Sequence, residues 1–234
     1  MQKLWNPYGY LKIHLEDSQT VRFSILMDIF IQDSGTVKQK MQNFVCVSAT
    51  DEDPDNPTET KYATWTYAVQ GGFYWAGAYI TDKYAIVGSD DGESNSTSDS
   101  SYVYCFDKLT GEVVQKVGPH HGDIRSDISY YDGRIYFTSK GGYLYSYNLK
   151  ENGTIDTENL IKPIEIGKMS TSTPAIANGR CYVGSSYGSN FSGTYGISVV
   201  DINEETGAMS LEYVVYTECL SSDFRCCINR LQRI

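Results

Sequence analysis

The sequence predicts an all-β fold, an incomplete β-propeller of four-stranded antiparallel blades. The main observation is a nine-residue phrase that occurs three times, at residues 84–92, 134–142 and 180–188. Each copy has an apolar run, a small residue, a serine and then a glycine three residues further on. The copies start about 50 and about 46 residues apart, a period typical of propeller blades or solenoids.

The composition and the turn residues support this fold class. The 234 residues include 20 Tyr and 21 Gly, which suits short strands joined by tight turns. Asp132 and Gly133, like Asn178 and Gly179, have the residue types of a two-residue hairpin turn. Each complete unit then contains four predicted strands: 73–79, 84–88, 102–107 and 112–117; 124–130, 134–138, 143–149 and 162–166; 172–177, 180–184, 197–202 and 210–216.

The repeats place the propeller at residues 43–217, with about three blades and part of another. Residues 43–48 and 64–68 have the pattern of the last two strands of an earlier blade. Residues 1–42 and 218–234 lack the blade pattern. In a shifted reading frame, synonymous codons for residues 15–40 can encode SNCPILNSDGYIYTG, which parallels TSTPAIANGRCYVG at 171–184, and 218–234 behave similarly. Our hypothesis is that both ends are frameshifted, by sequencing error or by decay of the gene.

Charge and hydropathy exclude several classes of partner. The net charge is −10 and the 19 Lys and Arg residues are scattered, so the sequence predicts no nucleic-acid surface. No apolar stretch has the length of a membrane span. The amino terminus lacks the pattern of a signal peptide, so any export signal is expected outside this chain.

One run resembles the AxDxxTGxxxW signature of quinoprotein-like (PQQ-like) β-propeller repeats. It is CFDKLTGEVV at 105–114, where Asp107, Thr110 and Gly111 match the signature, and residues 200–207 repeat it with an insertion. Asp107 can accept hydrogen bonds from the amides of a hairpin turn, and Gly111 can take a positive φ. Val114 stands where the signature has Trp, so the tryptophan docking of quinone-dependent dehydrogenases is missing from this copy. The resemblance therefore predicts no cofactor, with a degenerate PQQ-dependent dehydrogenase as the alternative.

A closer resemblance, over 43–217, is to propellers in secreted or surface-attached proteins of Gram-positive, often gut-dwelling, bacteria. It is carried by the phrases FVCVSATDEDP, ATWTY, GGFYWAGAY, GDIRS, FTSKGGY and MSTSTP. The resemblance implies an extracellular or cell-surface location and a non-catalytic module that binds a carbohydrate, peptide or protein. A purely structural spacer is a further alternative. The oligomeric state is left open.

The best candidate site is the mouth of the propeller channel, because the segments that open the blades converge there. Aromatic rings beside hydroxyl groups and one ion pair suit a sugar or a peptide. The alternative is structural, with Trp75 filling a gap between blades and Arg125 bonding to the backbone of a neighbouring blade. The candidate residues are Tyr74, Trp75, Asp123, Arg125, Ser170, Thr171 and Ser172, with Phe73 and Met169 adjoining them.

Other chemistry is weakly represented in the sequence. A calcium site at Asp90, Asp91, Glu93 and Asp99 is an alternative to a solvated surface loop. His120 and His121 are adjacent and point to opposite faces of a strand, so the sequence predicts no shared metal. Lys140 is expected to be a solvated loop cation. Buried thiols are expected at Cys46, Cys105 and Cys181. No catalytic motif is present, so we predict no enzyme.

Overall fold

The structure of the protein is a computed structural model. It describes residues 4–5, 11–12, 22–25, 42–47, 54–56, 62–69, 71–73, 76–90, 98–187 and 194–217. Within these ranges all regular structure is β-strand. The strands are β1 Leu4–Trp5, β2 Leu11–Lys12, β3 Arg22–Ile25, β4 Gln42–Val47, β5 Trp65–Val69, β6 Tyr79–Ile80, β7 Tyr84–Gly88, β8 Ser101–Asp107, β9 Val113–His120, β10 Ser129–Tyr131, β11 Arg134–Thr138, β12 Tyr143–Asn148, β13 Ile164–Glu165, β14 Ala175–Ala177, β15 Arg180–Ser186, β16 Tyr195–Ile202 and β17 Met209–Thr217.

The strands form successive antiparallel sheets, each in the order of the chain. We call them blade 1 (β3–β5), blade 2 (β6–β9), blade 3 (β10–β13) and blade 4 (β14–β17). Blades 2 to 4 have four strands and blade 1 has three, while β1 and β2 pair separately. Four-stranded meanders repeated along the chain are the blades of a propeller. The predicted fold class, an all-β incomplete β-propeller, is therefore confirmed.

The repeated phrase begins with the second strand of each of blades 2 to 4. These strands, β7, β11 and β15, lie between two neighbours of their own sheet, and β11 is buried at all five residues. A strand covered on both faces has a continuous apolar run, which is why the sequence indicates it so clearly.

The opening strands are shorter than predicted. The expected 73–79, 124–130 and 172–177 reduce to β6, β10 and β14 of two or three residues. The preceding residues bond to another blade instead: the amide of Ile124 donates to Ser89 O (3.1 Å) and that of Ile128 to Gly77 O (3.0 Å). These segments therefore link blades rather than extend one sheet.

Strand β3 was not predicted, since residues 1–42 were placed outside the propeller. It pairs with β4, with Phe23 opposite Cys46. Residues 218–234 lie outside the described residues. The frameshift hypothesis stays a prediction.

Three apolar clusters fill the spaces between successive blades. Phe44, Trp65 and Phe106 belong to the cluster between blades 1 and 2. Ile86, Ile135 and Phe137 belong to the next, and Tyr136, Leu144 and Val200 to the last. Each cluster combines one face of one blade with the facing side of the next, so a blade buries its apolar residues only by packing on its neighbours.

Each of these clusters holds one of the predicted buried thiols, Cys46, Cys105 or Cys181, and all three are free. Burial raises the pKa of Cys105 and of Cys181 to about 12, because the thiolate loses its hydration. These thiols are therefore protonated at neutral pH and pack as small apolar side chains.

The signature turn has the predicted geometry. Asp107 Oδ1 accepts hydrogen bonds from the amides of Leu109 and Thr110, both at 2.9 Å, and Gly111 has φ +74°. These bonds hold the pKa of the Asp107 carboxyl below its usual value. In blade 4 the same turn is built on Asn203, with φ +74° at Gly207. The inserted residues lengthen the hairpin, and Asp201 pairs with Arg180 instead.

Tryptophan docking occurs at the interface before the clearest signature copy. Trp65 Nε1 of blade 1 donates to Lys108 O in the turn of blade 2, at 3.1 Å. A Cβ on Gly111 would lie 2.5 Å from Cδ2 of the same ring, so the indole rests directly on the glycine. Val114, which replaces the signature tryptophan, is 42% exposed. The docking residue for the blade 2 turn therefore belongs to blade 1.

Substituting Gly111 tests this docking. Gly111→Ala imposes a positive φ on alanine, which costs about 1–2 kcal/mol, and also displaces Trp65, which costs a further ~1–3 kcal/mol. Gly133→Ala is the matched control, because Gly133 has φ +75° and nothing within 4 Å of the added Cβ. Urea unfolding should show the larger loss for Gly111→Ala. Equal losses would mean that the docked ring contributes nothing.

Candidate functional site

The mouth of the channel is formed by the openings of the blades and by the loops that follow each second strand. The amide of Asp90 donates to Gly72 O (2.9 Å), that of Lys140 to Asp123 O (2.8 Å) and that of Ser186 to Met169 O (2.9 Å). The same contact thus recurs in blades 2, 3 and 4. Between blades, Ser139 O of blade 3 accepts from the amide of Ser170 at the start of blade 4 (3.2 Å).

Four charged residues form an ion network at this mouth. Arg125 Nε and Nη2 each lie 2.6 Å from Asp90 Oδ2, and Nη2 lies 3.3 Å from Asp123 Oδ2. Lys140 Nζ lies 2.8 Å from the same oxygen of Asp123. The Asp123 side chain is fully buried and that of Asp90 is 2% exposed. Two cations and two carboxylates neutralise one another, and Arg125 links blade 3 to blade 2.

Two expectations are corrected here. Lys140 is a buried partner of Asp123 rather than a solvated loop cation. Its loop lies flat on the preceding segment, since a Cβ on Gly141 would stand 2.4 Å from His121 O, and the lysine side chain points inward. Arg125 was given backbone bonding to a neighbouring blade as its structural alternative. Its described contacts are with the carboxylates of Asp90 and Asp123.

A cavity of about 160 Å³ lies at the opening of blade 4. Side-chain hydroxyl groups dominate its polar lining, and none of its lining residues carries a charge. Three predicted site residues, Ser170, Thr171 and Ser172, belong to this lining. The complete set is Met169, Ser170, Thr171, Ser172, Gly184, Ser186 and Tyr195.

The lining residues differ in how their polar groups are used. Ser170 is buried, and its hydroxyl donates to Gly184 O at 2.7 Å and accepts from the amide of Ser172 at 3.2 Å. The carbonyl of Ser172 accepts from Thr138 Oγ1 of blade 3 at 2.8 Å. Thr171 stands between these two residues and is exposed. Ser170 and Ser172 therefore hold the wall in shape, and Thr171 faces solvent.

The remaining mouth residues have separate positions. Tyr74 and Trp75 lie outside the described residues. Phe73, expected beside them, is buried in the cluster between blades 1 and 2. Tyr195 was not predicted as a site residue, since it comes late in the chain and its sequence neighbourhood gives no sign that it lines the blade 4 opening.

The described part of the calcium cluster does not form a shared site. Asp90 is buried against Arg125, whereas Asp99 Oδ1 lies 2.6 Å from His121 Nδ1. Asp91 and Glu93 lie outside the described residues. Within the described ranges, no three His, Cys, Asp or Glu residues group so as to hold a metal ion.

The two adjacent histidines have different surroundings. His120 is buried, with Nε2 2.9 Å from the hydroxyl oxygen of Tyr147 and with the rings of Phe137 and Tyr145 edge-on to it. Burial lowers the pKa of His120 to about 4, because the imidazolium loses its hydration. His121 is partly exposed and contacts Asp99. His120 is therefore a neutral packing residue between blades 2 and 3.

Comparisons with known proteins identify no family. No family model and no curated protein sequence matches the chain. Among solved structures, the crystal structure of BamB from Moraxella catarrhalis is similar at 18% identity with a TM-score of 0.45. The match covers 73% of this chain and 47% of that one, so the chain spans less than half the length of this neighbour. Separately, none of the described segments is a helix with the length and apolarity to cross a bilayer.

Neutralising Asp123 tests the ion network. Asp123→Asn leaves the buried Lys140 cation without its carboxylate, so the free energy of unfolding should fall by about 3–5 kcal/mol. Glu165→Gln is the control, because it breaks an exposed pair with Lys168 of similar length, 3.1 Å, and should cost under about 1 kcal/mol. Urea unfolding at pH 7 measures both. Combining Asp123→Asn with Lys140→Met should restore part of the loss, and similar losses for the two single variants would contradict the account.

Burial of His120 predicts a dependence of stability on pH. Its folded pKa of about 4 is below the usual 6.5, so as the pH falls below 6.5 the unfolded chain binds the proton first. Stability from this residue is fully present above pH 6.5 and decreases toward pH 4. Between pH 7.5 and 5.0 we expect a loss of about 2 kcal/mol in urea unfolding that His120→Gln removes. His121→Gln should keep it, and an unchanged pH dependence in His120→Gln would refute the assignment.

Proposed function

We propose that this propeller is a non-catalytic recognition module whose channel mouth binds a neutral, hydroxyl-bearing group of a carbohydrate, peptide or protein partner. The observation that carries the proposal is the uncharged, hydroxyl-lined cavity at Ser170–Ser172, next to an ion network that is already neutralised. Neutral polar walls beside an aromatic ring favour ligands that exchange hydrogen bonds and stack.

The size of the cavity supports recognition of part of a larger ligand. A volume of about 160 Å³ is below the ~300–1,000 Å³ of typical small-molecule pockets. It suits a single polar side chain or part of a sugar ring. The remainder of such a ligand then extends along the mouth, where Thr171 is exposed.

The described chemistry of the mouth favours binding over catalysis. Asp90 and Asp123 are both engaged by Arg125, and Asp123 also by Lys140. A general acid or base needs access to the substrate proton, which a carboxylate paired in this way lacks. His120 is buried away from the mouth and the described thiols lie in the interblade clusters.

The net charge of −10 and the resemblance to bacterial surface propellers support an extracellular or cell-surface setting. At this charge the module repels polyanions such as nucleic acids. Neutral glycans and the polar segments of proteins are free of that repulsion.

Blocking the cavity tests the proposed site. The chain is first applied to an array of neutral oligosaccharides and to a peptide array, and the best-bound probe is titrated by calorimetry. Thr171→Trp should reduce its affinity at least about tenfold by filling the cavity, the order of a good interface contact. Thr157→Trp, at an exposed loop position away from the mouth, is the control.

Three results would reject the proposal. One is that no probe binds on either array, which would favour a structural spacer. Another is equal affinity for the two tryptophan variants. The third is dye reduction with an alcohol or sugar after addition of pyrroloquinoline quinone, which would indicate a dehydrogenase.

A further inference from the structure

The interfaces between blades are built from positions that are equivalent in the pairing register. In blade 2, Ile86 pairs with Cys105, and Val103 pairs with Val117. In blade 3 the same places are taken by Tyr136, Ser146, Leu144 and Ile164. In blade 4 they are taken by Tyr182, Val199, Ile197 and Val215. We call this set of positions the trailing face, because in blades 2 and 3 it packs on the following blade.

The trailing faces differ sharply in exposure. Ile86 and Tyr136 are both 0% exposed, whereas the equivalent Tyr182 in blade 4 is 41% exposed. Val117 is 8% exposed and the equivalent Val215 is 43% exposed. Tyr213, which pairs with Val199, is 51% exposed. Blade 4 thus carries apolar side chains at places where the other blades bury theirs.

An arginine at the edge of the trailing face repeats the same arrangement. Arg134 of blade 3 donates from Nε to Asn148 (3.0 Å) and from Nη2 to the carbonyls of Glu204 and Glu205 in the outer turn of blade 4 (2.9 and 3.2 Å). The equivalent Arg180 donates from Nε to Asp201 at 2.7 Å and is 46% exposed. Its guanidinium is therefore held in the orientation that, one blade earlier, receives the outer turn of the next blade.

We propose that the trailing face of blade 4 binds blade 1 of a second copy of this chain, so that two copies close head to tail. In blade 1, Thr66 and Ala68 are exposed and alternate with the buried Trp65 and Tyr67 side, so they present small side chains to the tyrosines of blade 4. Two copies together contain eight blades, within the four to eight typical of closed propellers.

Charge supports a second copy as the occupant. Arg134 reaches the connection between the last two strands of the following blade, β16 and β17. In blade 1 the connection between its last two strands, β4 and β5, comprises residues 48–64, which contain five carboxylates: Asp51, Glu52, Asp53, Asp55 and Glu59. A head-to-tail pair brings the cation of Arg180 toward this acidic stretch, and each copy contributes one such contact.

Sedimentation equilibrium of the chain tests the proposal. We expect a species of twice the chain mass that dissociates on dilution and that weakens as salt is raised. Tyr182→Arg and, independently, Val215→Arg should each weaken dimerisation at least about tenfold by placing a charge in the apolar face. Arg180→Ala should weaken it while leaving both tyrosines in place. Circular dichroism checks that each variant is folded.

Leu160→Arg is the matched control, since Leu160 is 68% exposed in blade 3 and lies outside both proposed faces. It should dimerise like the unmodified chain. A chain that is monomeric at all concentrations, a ring of more than two copies, or a dimer that is equally tight in folded Tyr182→Arg and Val215→Arg would each overturn the proposal.

Discussion

The structure depends on the packing of one sheet face against the next. A single antiparallel blade has two apolar faces and can bury neither of them alone. Ile86, Tyr136 and their register equivalents become core residues only because another blade lies on top of them. Every other feature, from the docked turns to the mouth, follows from holding these faces in contact.

The parts of the fold that the sequence predicted are those governed by a single sheet. The second strands were predicted well because burial on both faces gives a continuous apolar run. The opening strands were overextended because the amides of Ile124 and Ile128 bond to another blade, which local patterning does not reveal. Trp65 was overlooked as a docking residue because its partner, Lys108, is 43 residues away.

The candidate site was predicted in composition more than in arrangement. The ring of opening segments pointed to Asp123, Arg125 and Ser170–Ser172, which the structure places at the mouth of blades 3 and 4. Lys140 was given to solvent because a lysine between a serine and two glycines has the pattern of a loop tip. The carboxylate that captures it is 17 residues earlier, and only the stacking of neighbouring loops brings the two together.

The segment Ser170–Ser172 is bonded to two blades at once. Its first amide donates to Ser139 O and its last carbonyl accepts from Thr138 Oγ1, both of blade 3, while the Ser170 hydroxyl donates to Gly184 O of blade 4. The wall of the cavity is therefore also the seam between these blades. Free energy gained by a ligand on this wall is shared with the contact between blades 3 and 4, and tightening of that contact in turn favours the ligand by the same amount. Occupancy of the mouth and cohesion of the ring are thermodynamically coupled in this molecule.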